Sequence, residues 1–455
     1  MVIFKYAVRG KCAVYGLSPC ALIGKIFSDP WFLFPRAGAG LKIIAMASNR
    51  MAARNYWKFI AFAVFAVAWG GNEFTPMMVY YRGENVFGNV FVDALLASYA
   101  AGIAISLLIS GPLSDRFGRR LVMFPAPVVA LVGSILIAVG ETNSPLIFLG
   151  RVLSGIAIGI AMTAGGSWIK ELSTPAFDRN ATPGAGARRA TMSLTAGFAL
   201  GALVAGVLAQ WGPAPGKTPY LVHIFLALVS MVGLAGVPET RQSAHLKVKG
   251  SFWSDIATPT ALHPRFLLAV LPIAPWVFGC AGVAYAILPS LTQDRVSIPI
   301  AFSAAITMVA LTFGFGVQQI SNLYLRGRGV MGQQLGLVLI IVGMALAVWT
   351  AQSRSLVGAA IAAVILGTAY GVCMITGLTE VQRLAGPDDL GGLTAVFYAF
   401  TYLGFFFPMI LTKLNQWFTY EMMLGVGVVI AAISLVLVSA VGQRFLPEEK
   451  ISGQS

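Results

Sequence analysis

Residues 111–120 read Gly111-Pro112-Leu113-Ser114-Asp115-Arg116-Phe117-Gly118-Arg119-Arg120, a charged stretch between two long apolar segments. Four charges in six positions (Asp115, Arg116, Arg119, Arg120) belong in water, because a charge inside hydrocarbon costs at least ~2.5 kcal/mol even on permissive insertion scales. The rest of the chain makes water scarce. It is 57% hydrophobic and only 11% charged over 455 residues, with a mean hydropathy of +0.80, whereas soluble domains carry roughly 25% charge. The stretch is therefore read as a turn at a membrane surface joining two helices that cross the bilayer.

Working outward, apolar runs long enough to cross a ~30 Å hydrocarbon core as helices are expected at 57–81, 90–110, 121–140, 145–169, 190–211 and 220–237. After a polar gap they recur at 266–291, 300–324, 330–350, 356–378, 393–412 and 422–441. Barrel strands would be shorter and alternating, so the expectation is an all-α membrane protein with twelve transmembrane helices. Lysine and arginine are retained on the cytoplasmic side. With the first span running outward, inside segments from residue 46 onward hold 19 of them and outside loops five (Arg82, Lys217, Arg295, Arg354, Lys413). Both termini and the 111–120 turn are thus placed in the cytoplasm, and the protein in a plasma (inner) membrane.

The net charge of +14 is scattered over short loops, whereas nucleic-acid binding collects basic residues on one soluble face; no nucleic-acid partner is expected. Cys280 and Cys373 lie inside spans, Cys12 and Cys20 precede them, and no pair suggests a disulfide or metal set. Phosphate-cradling loop, metal-spaced cluster and nucleophile arrangement are all missing, and there are three histidines. Neither an enzyme nor a cofactor is expected. Residues 1–50 are mixed and proline-interrupted, and read as a disordered extension or a start site placed too early, with Met46 and Met51 as alternatives.

Residues 238–265 are the long polar stretch that divides the spans six and six. The halves align at a fixed offset. Glu239 matches Glu448 (448 − 239 = 209), Glu171 matches Glu380 (380 − 171 = 209) and Arg119 matches Arg328 (328 − 119 = 209). The expected organisation is a six-helix bundle at 51–237, a cytoplasmic central loop at 238–265, a second bundle at 266–443 and a tail at 444–455. At the position matching Asp115 the second half carries Tyr324, so its copy of the turn has lost the acid.

The 111–120 stretch resembles the signature loop between spans 2 and 3 of major facilitator superfamily transporters, G-x-L-x-D-R-x-G-R-R. Gly111, Leu113, Asp115, Arg116, Gly118, Arg119 and Arg120 match it. The resemblance implies two pseudo-symmetric six-helix bundles and a substrate site between them near mid-membrane. It also implies a cytoplasmic gate in which Asp115 accepts from a facing helix N-terminus and pairs with an arginine. Glu171, Glu380 and Arg383 at cytoplasmic span ends join that gate by the same analogy; the plainer reading of the arginines is as topology anchors.

Arg151 in span 4, followed by Gly155 and Gly159, matches the family's span 4 arginine and needs a partner within the membrane. Glu73 in Gly70-Gly71-Asn72-Glu73-Phe74-Thr75-Pro76 is expected to be that partner, with Asn72 beside it. At 1.5 Å per residue Glu73 lies roughly 13 Å below Arg82 and Arg151 roughly 9 Å below Pro145, at similar depth. A carboxylate there can exchange protons, or the pair can be structural. Asp93 is the second choice for a titrating group, its alternative being an interfacial charge reaching water.

Span 5 carries Gly197-Phe198-Ala199-Leu200-Gly201-Ala202-Leu203-Val204-Ala205-Gly206. It resembles the antiporter motif G-x-x-x-G-P-x-x-G-G with Ala202 in place of the proline; a packing face is the alternative. Gln318, Tyr370, Tyr398 and Tyr402 are candidate cavity residues for an apolar or amphiphilic small-molecule substrate. The expected function is proton-coupled efflux by alternating access, from a monomer in the lipid bilayer. Uptake of an organic solute and a non-transporting receptor on the same fold are the alternatives.

Overall fold

The computed structural model describes residues 55–182, 184–241, 258–321, 330–385 and 390–441. The N-terminal extension, most of the central loop, Asn322, Tyr324, Arg328 and Glu448 lie outside the described residues. The short segment Pro175–Asn180 forms turns by itself. Everything else described, Tyr56–Thr174 and from Ala181 onward, is one all-helical unit.

Twelve spans are present among the described residues. Span 1 is Trp57–Asn72 continued by Phe74–Gly83; spans 2 to 6 are Asn89–Phe117, Arg119–Val139, Ser144–Leu172, Ala185–Trp211 and Thr218–Ala235. Spans 7 to 12 are Phe266–Arg295, Pro299–Gln319, Met331–Ser353, Leu356–Leu384, Leu390–Leu414 and Tyr420–Val441. Eleven of them are long and apolar enough to cross a membrane. Span 1 is the twelfth, in two pieces.

Its interruption follows from sequence. Pro76 has no N–H to offer the carbonyl four residues earlier, and its ring crowds that turn. The helix stops at Asn72 and resumes at Phe74, with Glu73 at the joint. Asn72 then ties the joint down. Its Nδ2 donates to the Phe198 carbonyl of span 5 at 3.0 Å, and its Oδ1 accepts from Thr75 Oγ1 at 2.7 Å.

Within the first six spans, span 2 packs on span 4, span 3 on spans 4 and 6, and span 1 on span 5. In the last six, span 10 packs on spans 7, 8 and 9, and span 12 on span 9. Two seams join these groups: span 2 against span 11, and span 5 against span 8. At the end away from the 111–120 turn, Gln210 Oε1 of span 5 accepts from the backbone N–H of Ile300 and Ala301 at 3.1 and 3.3 Å. The stretch of span 7 from Trp276 to Pro289 is buried throughout.

Span 7 is broken as its prolines 272, 275 and 289 lead one to expect, into π-helical turns at Phe266–Val270 and Val283–Ile287 around shorter α-helices. Span 4 carries a further π turn at Ala161–Gly165. Span 5, by contrast, is one uninterrupted helix: with alanine at 202 nothing removes a backbone donor.

The 111–120 stretch differs from its expected form. Span 2 runs on as helix through Phe117, so Asp115 and Arg116 sit on its last turns and the reversal is made at Gly118 alone. The helix continues because its charged residues have already left the hydrocarbon, where side chains and water can meet them. Gly118 adopts φ +98°, a conformation that L side chains rarely adopt, and an added Cβ would lie 2.6 Å from Glu239 Oε2. Gly118→Ala is therefore expected to cost about 1–3 kcal/mol, read as a lower apparent melting temperature in detergent. Gly111→Ala, where an added Cβ meets nothing within 4 Å, should leave that temperature unchanged or slightly raised.

Candidate functional site

The break in span 1 places one ionisable side chain, Glu73, in the interior of the first six spans. Glu73 is fully buried, and its Oε1 accepts from Ser134 Oγ of span 3 at 3.1 Å. The same hydroxyl lies 2.6 Å from Nδ1 of His223 on span 6, which is itself 3.7 Å from Glu73 Oε1. The imidazole fits there because residue 70 is glycine: a Cβ on Gly70 would fall 2.3 Å from Cε1 of His223.

Arg151, also buried, is placed otherwise than expected. It makes no hydrogen bond or ion pair with Glu73; its Nη1 donates to the Gly71 carbonyl at 3.2 Å and its Nε to the Leu95 carbonyl at 3.4 Å. The guanidinium lies over two rings, Phe74 at 4.4 Å and Tyr99 at 4.3 Å. The reason is local. The broken turn at Glu73 leaves the span 1 backbone short of donors, and the flat, weakly hydrated guanidinium meets both a carbonyl and an aromatic face. Arg151 still acts on Glu73 by charge, without contact. Tyr81 and Tyr220, whose hydroxyls are 3.4 Å apart, complete the polar interior.

Asp93 is not an interfacial charge reaching water. It is fully buried and paired with Arg82 near the C-terminal end of span 1, itself only 8% exposed. Arg82 was counted above as a loop arginine; here it is a buried partner. Thr412 Oγ1 of span 11 lies 3.1 Å from the Tyr420 hydroxyl, and Arg82, Thr412 and Tyr420 line a cavity of about 470 Å³ at this end.

At the end of the bundle that carries the 111–120 turn, a second cluster gathers the turn residues. Arg119 donates to Glu171 Oε1 through Nε and Nη2 at 3.0 and 2.9 Å, and to Asp115 Oδ1 through Nη1 at 2.9 Å. Arg241 joins Asp115 Oδ1 at 2.7 Å, and Thr240 donates to Glu171. Arg120 Nη2 donates to the Ala235 carbonyl at 3.0 Å. The helix N-terminus expected for Asp115 is held by Glu239, whose carboxylate accepts from the backbone N–H of Arg119 at 3.1 Å and Arg120 at 2.8 Å. That is a span 3 N-terminus capped by an acid; among the described residues, Asp115 bonds to Arg119 and Arg241. The sequence marked Glu239 as a repeat position; its spacing before a polar loop gave no sign of capping.

The last six spans repeat the motif with different partners. Glu380 is buried against Arg265 at the entry to span 7, 2.7 Å away, and Arg383 lies 3.6 Å from its other oxygen. Arg265 is one of the 19 inside lysines and arginines that mark the topology in the sequence. Above it, Phe278 stacks on Tyr402 at 4.3 Å and Phe405 at 4.7 Å, with Tyr370 at 5.7 Å. Tyr402 also donates to Met162 of span 4 at 3.4 Å, across the two groups of spans. Tyr398 leans on Phe397, and Gln318 turns back on its own helix at the Gly314 carbonyl. Of the candidate cavity residues, Tyr370 and Tyr402 share one aromatic wall, whose hub Phe278 the span 11 pattern did not disclose.

These two charge clusters differ in cost. Removing one partner of a buried pair costs about 3–5 kcal/mol, whereas exposed pairs are worth about 0–1 kcal/mol. Arg265→Met should accordingly destabilise the protein by several kcal/mol. Asp115→Asn, at a carboxylate side chain 50% exposed, should fall within about 1 kcal/mol. Thermal unfolding of the purified proteins separates them; equal losses would contradict the burial argument.

The sequence matches the Major Facilitator Superfamily over residues 59–409. It is 25% identical over 318 residues to a chloramphenicol resistance protein of Pseudomonas aeruginosa, covering 68% of this chain and 71% of that one. It is 24% identical over 125 residues to the glucose transporter GlcP of Staphylococcus epidermidis, covering 27% of this chain and 28% of that one. The match to D-xylose-proton symporter-like 2 of Arabidopsis thaliana is 26% over 160 residues, or 35% and 30%. The chain thus spans less than a third of the length of the two sugar transporters. Among solved structures, a peptide transporter POT in complex with sulfate aligns with a TM-score of 0.68 at 13% identity, covering 88% of this chain and 99% of that one. A D-xylose-proton symporter aligns at 0.65 with 16% identity and the same coverage. At these identities the structures share the fold.

Proposed function

We propose that this chain, which belongs to the Major Facilitator Superfamily, is a proton-coupled secondary transporter that exports a small amphiphilic compound by alternating access. The observation that carries the reading is Glu73, a carboxylate fully buried at the broken joint of span 1. A charge in that position is expensive, and a group that sheds its charge by taking a proton links protonation to the packing of the helices around it. Residues 51–237 and 266–443 are the two halves that rock about the site, joined by 238–265 and followed by a cytoplasmic tail at 444–455. The protein acts as a monomer in the inner membrane with both termini in the cytoplasm, as the lysine and arginine count supports.

The aromatic wall of Phe278, Tyr370, Tyr402 and Phe405 supports an apolar or amphiphilic substrate. Export is favoured by the length of the match to the chloramphenicol resistance protein. Uptake of an organic solute is the second reading, favoured by the match to sugar transporters. The cytoplasmic cluster of Asp115, Arg119, Glu171 and Arg241 acts as a latch on spans 2, 3, 4 and 6, with Glu239 fixing the turn.

Proteoliposomes test the reading with chloramphenicol and D-xylose as probes. An imposed proton gradient is expected to drive chloramphenicol flux in the direction opposite to proton movement. Glu73→Gln should abolish that flux while the protein still incorporates and folds. Gradient-driven D-xylose flux running with the protons would favour uptake. A fully active Glu73→Gln variant would remove the coupling assignment.

A further inference from the structure

We propose that Ser134 and His223 complete the proton-carrying unit, so that a proton on Glu73 is shared along a line from span 1 through span 3 to span 6. The inference deepens the reading of Glu73 as the proton carrier and rests on it. Its basis is geometric. One hydroxyl, Ser134 Oγ, stands within hydrogen-bond distance of both ends, 3.1 Å from Glu73 Oε1 and 2.6 Å from His223 Nδ1. All three side chains are fully buried. The second carboxylate oxygen, Oε2, has no hydrogen-bond partner among the described residues. The room for the imidazole is made by Gly70, where any side chain would collide with the ring.

A serine between a carboxyl and an imidazole offers two arrangements of the same atoms. In one, the Glu73 carboxyl O–H donates to Ser134 Oγ and the Ser134 hydroxyl donates to Nδ1 of neutral His223. In the other, the carboxyl proton has passed to Ser134 Oγ and the hydroxyl proton to Nδ1. A carboxylate and an imidazolium remain, still bridged by the hydroxyl. One O–H bond breaks at Glu73 and one N–H bond forms at His223; Ser134 exchanges one O–H for another, and the net charge of the trio is unchanged. The other charged or titratable groups acting on Glu73 are Arg151 from span 4, Tyr81 on span 1 and Tyr220 on span 6. Arg151 is held by the Gly71 and Leu95 carbonyls, so it biases the line without taking part in it.

The consequence is that two ionisable groups bridged by one hydroxyl titrate as a pair. A histidine that only fills space would not. The chain holds three histidines, so ¹⁵N-histidine labelling of the purified full-length protein gives few signals, and that of His223 is the one lost in His223→Gln. Following it between about pH 5 and pH 9 needs no substrate. Its midpoint is expected to move by about one pH unit or more, tenfold in proton affinity, in Glu73→Gln. Ser134→Ala, which deletes only the bridge, should move it as well and serves alone if Glu73→Gln fails to fold. A His223 signal that keeps one form over the whole range, or an unchanged midpoint in both variants, overturns the relay. The proteoliposome assay on Glu73→Gln answers for Glu73 alone, so the relay and the coupling assignment fail separately.

Discussion

In hydrocarbon a backbone or side-chain polar group must find its partner inside the protein, and span 1 is where this chain meets that constraint most severely. Pro76 breaks the helix, and the broken turn asks for donors. Arg151 supplies one to the Gly71 carbonyl, and its guanidinium is thereby turned toward Phe74 and Tyr99 instead of toward Glu73. Glu73, at the joint, must then be accommodated by others, and Ser134 and His223 do so. The acid that the transport reading depends on is thus placed by a proline three residues away.

The same constraint is met differently at the two ends of the bundle. At the end away from the 111–120 turn Asp93 and Arg82 pair in burial, while Asp93 Oδ2 and Arg82 Nη1 have no hydrogen-bond partner among the described residues. At the end that carries the 111–120 turn the charges of spans 2, 3, 4 and 6 are partly exposed, where ion pairs are weak. The turn is held there by geometry as much as by charge: a glycine at positive φ and a carboxylate on two backbone N–H groups. The buried Glu380–Arg265 pair in the last six spans is the costlier one to break.

Hydropathy and spacing made much of this legible. The positions of twelve spans follow from apolar run lengths, and the broken span 7 from its prolines. What they did not disclose are partners across space. Glu73 and Arg151 lie at matching depth, so depth alone paired them, but depth says nothing about which side of a helix a side chain leaves from. His223 gave no signal because a lone histidine in an apolar run resembles core filling, and Gly70, which makes room for its ring, lies far from it in sequence. Asp115 and Arg116 were read as loop because charges mark the membrane edge, whereas the helix carries them past that edge before turning. Glu239 and Arg265 were visible as residues and silent as partners.

Infrared difference spectroscopy of the purified protein tests the central claim most directly, by asking whether Glu73 changes protonation state where it lies. The account predicts a protonated-carboxyl C=O band that changes between acid and alkaline pH and is lost in Glu73→Gln. A spectrum without any Glu73-dependent carboxyl band at either pH would contradict it, leaving Glu73 a permanently ionised structural group.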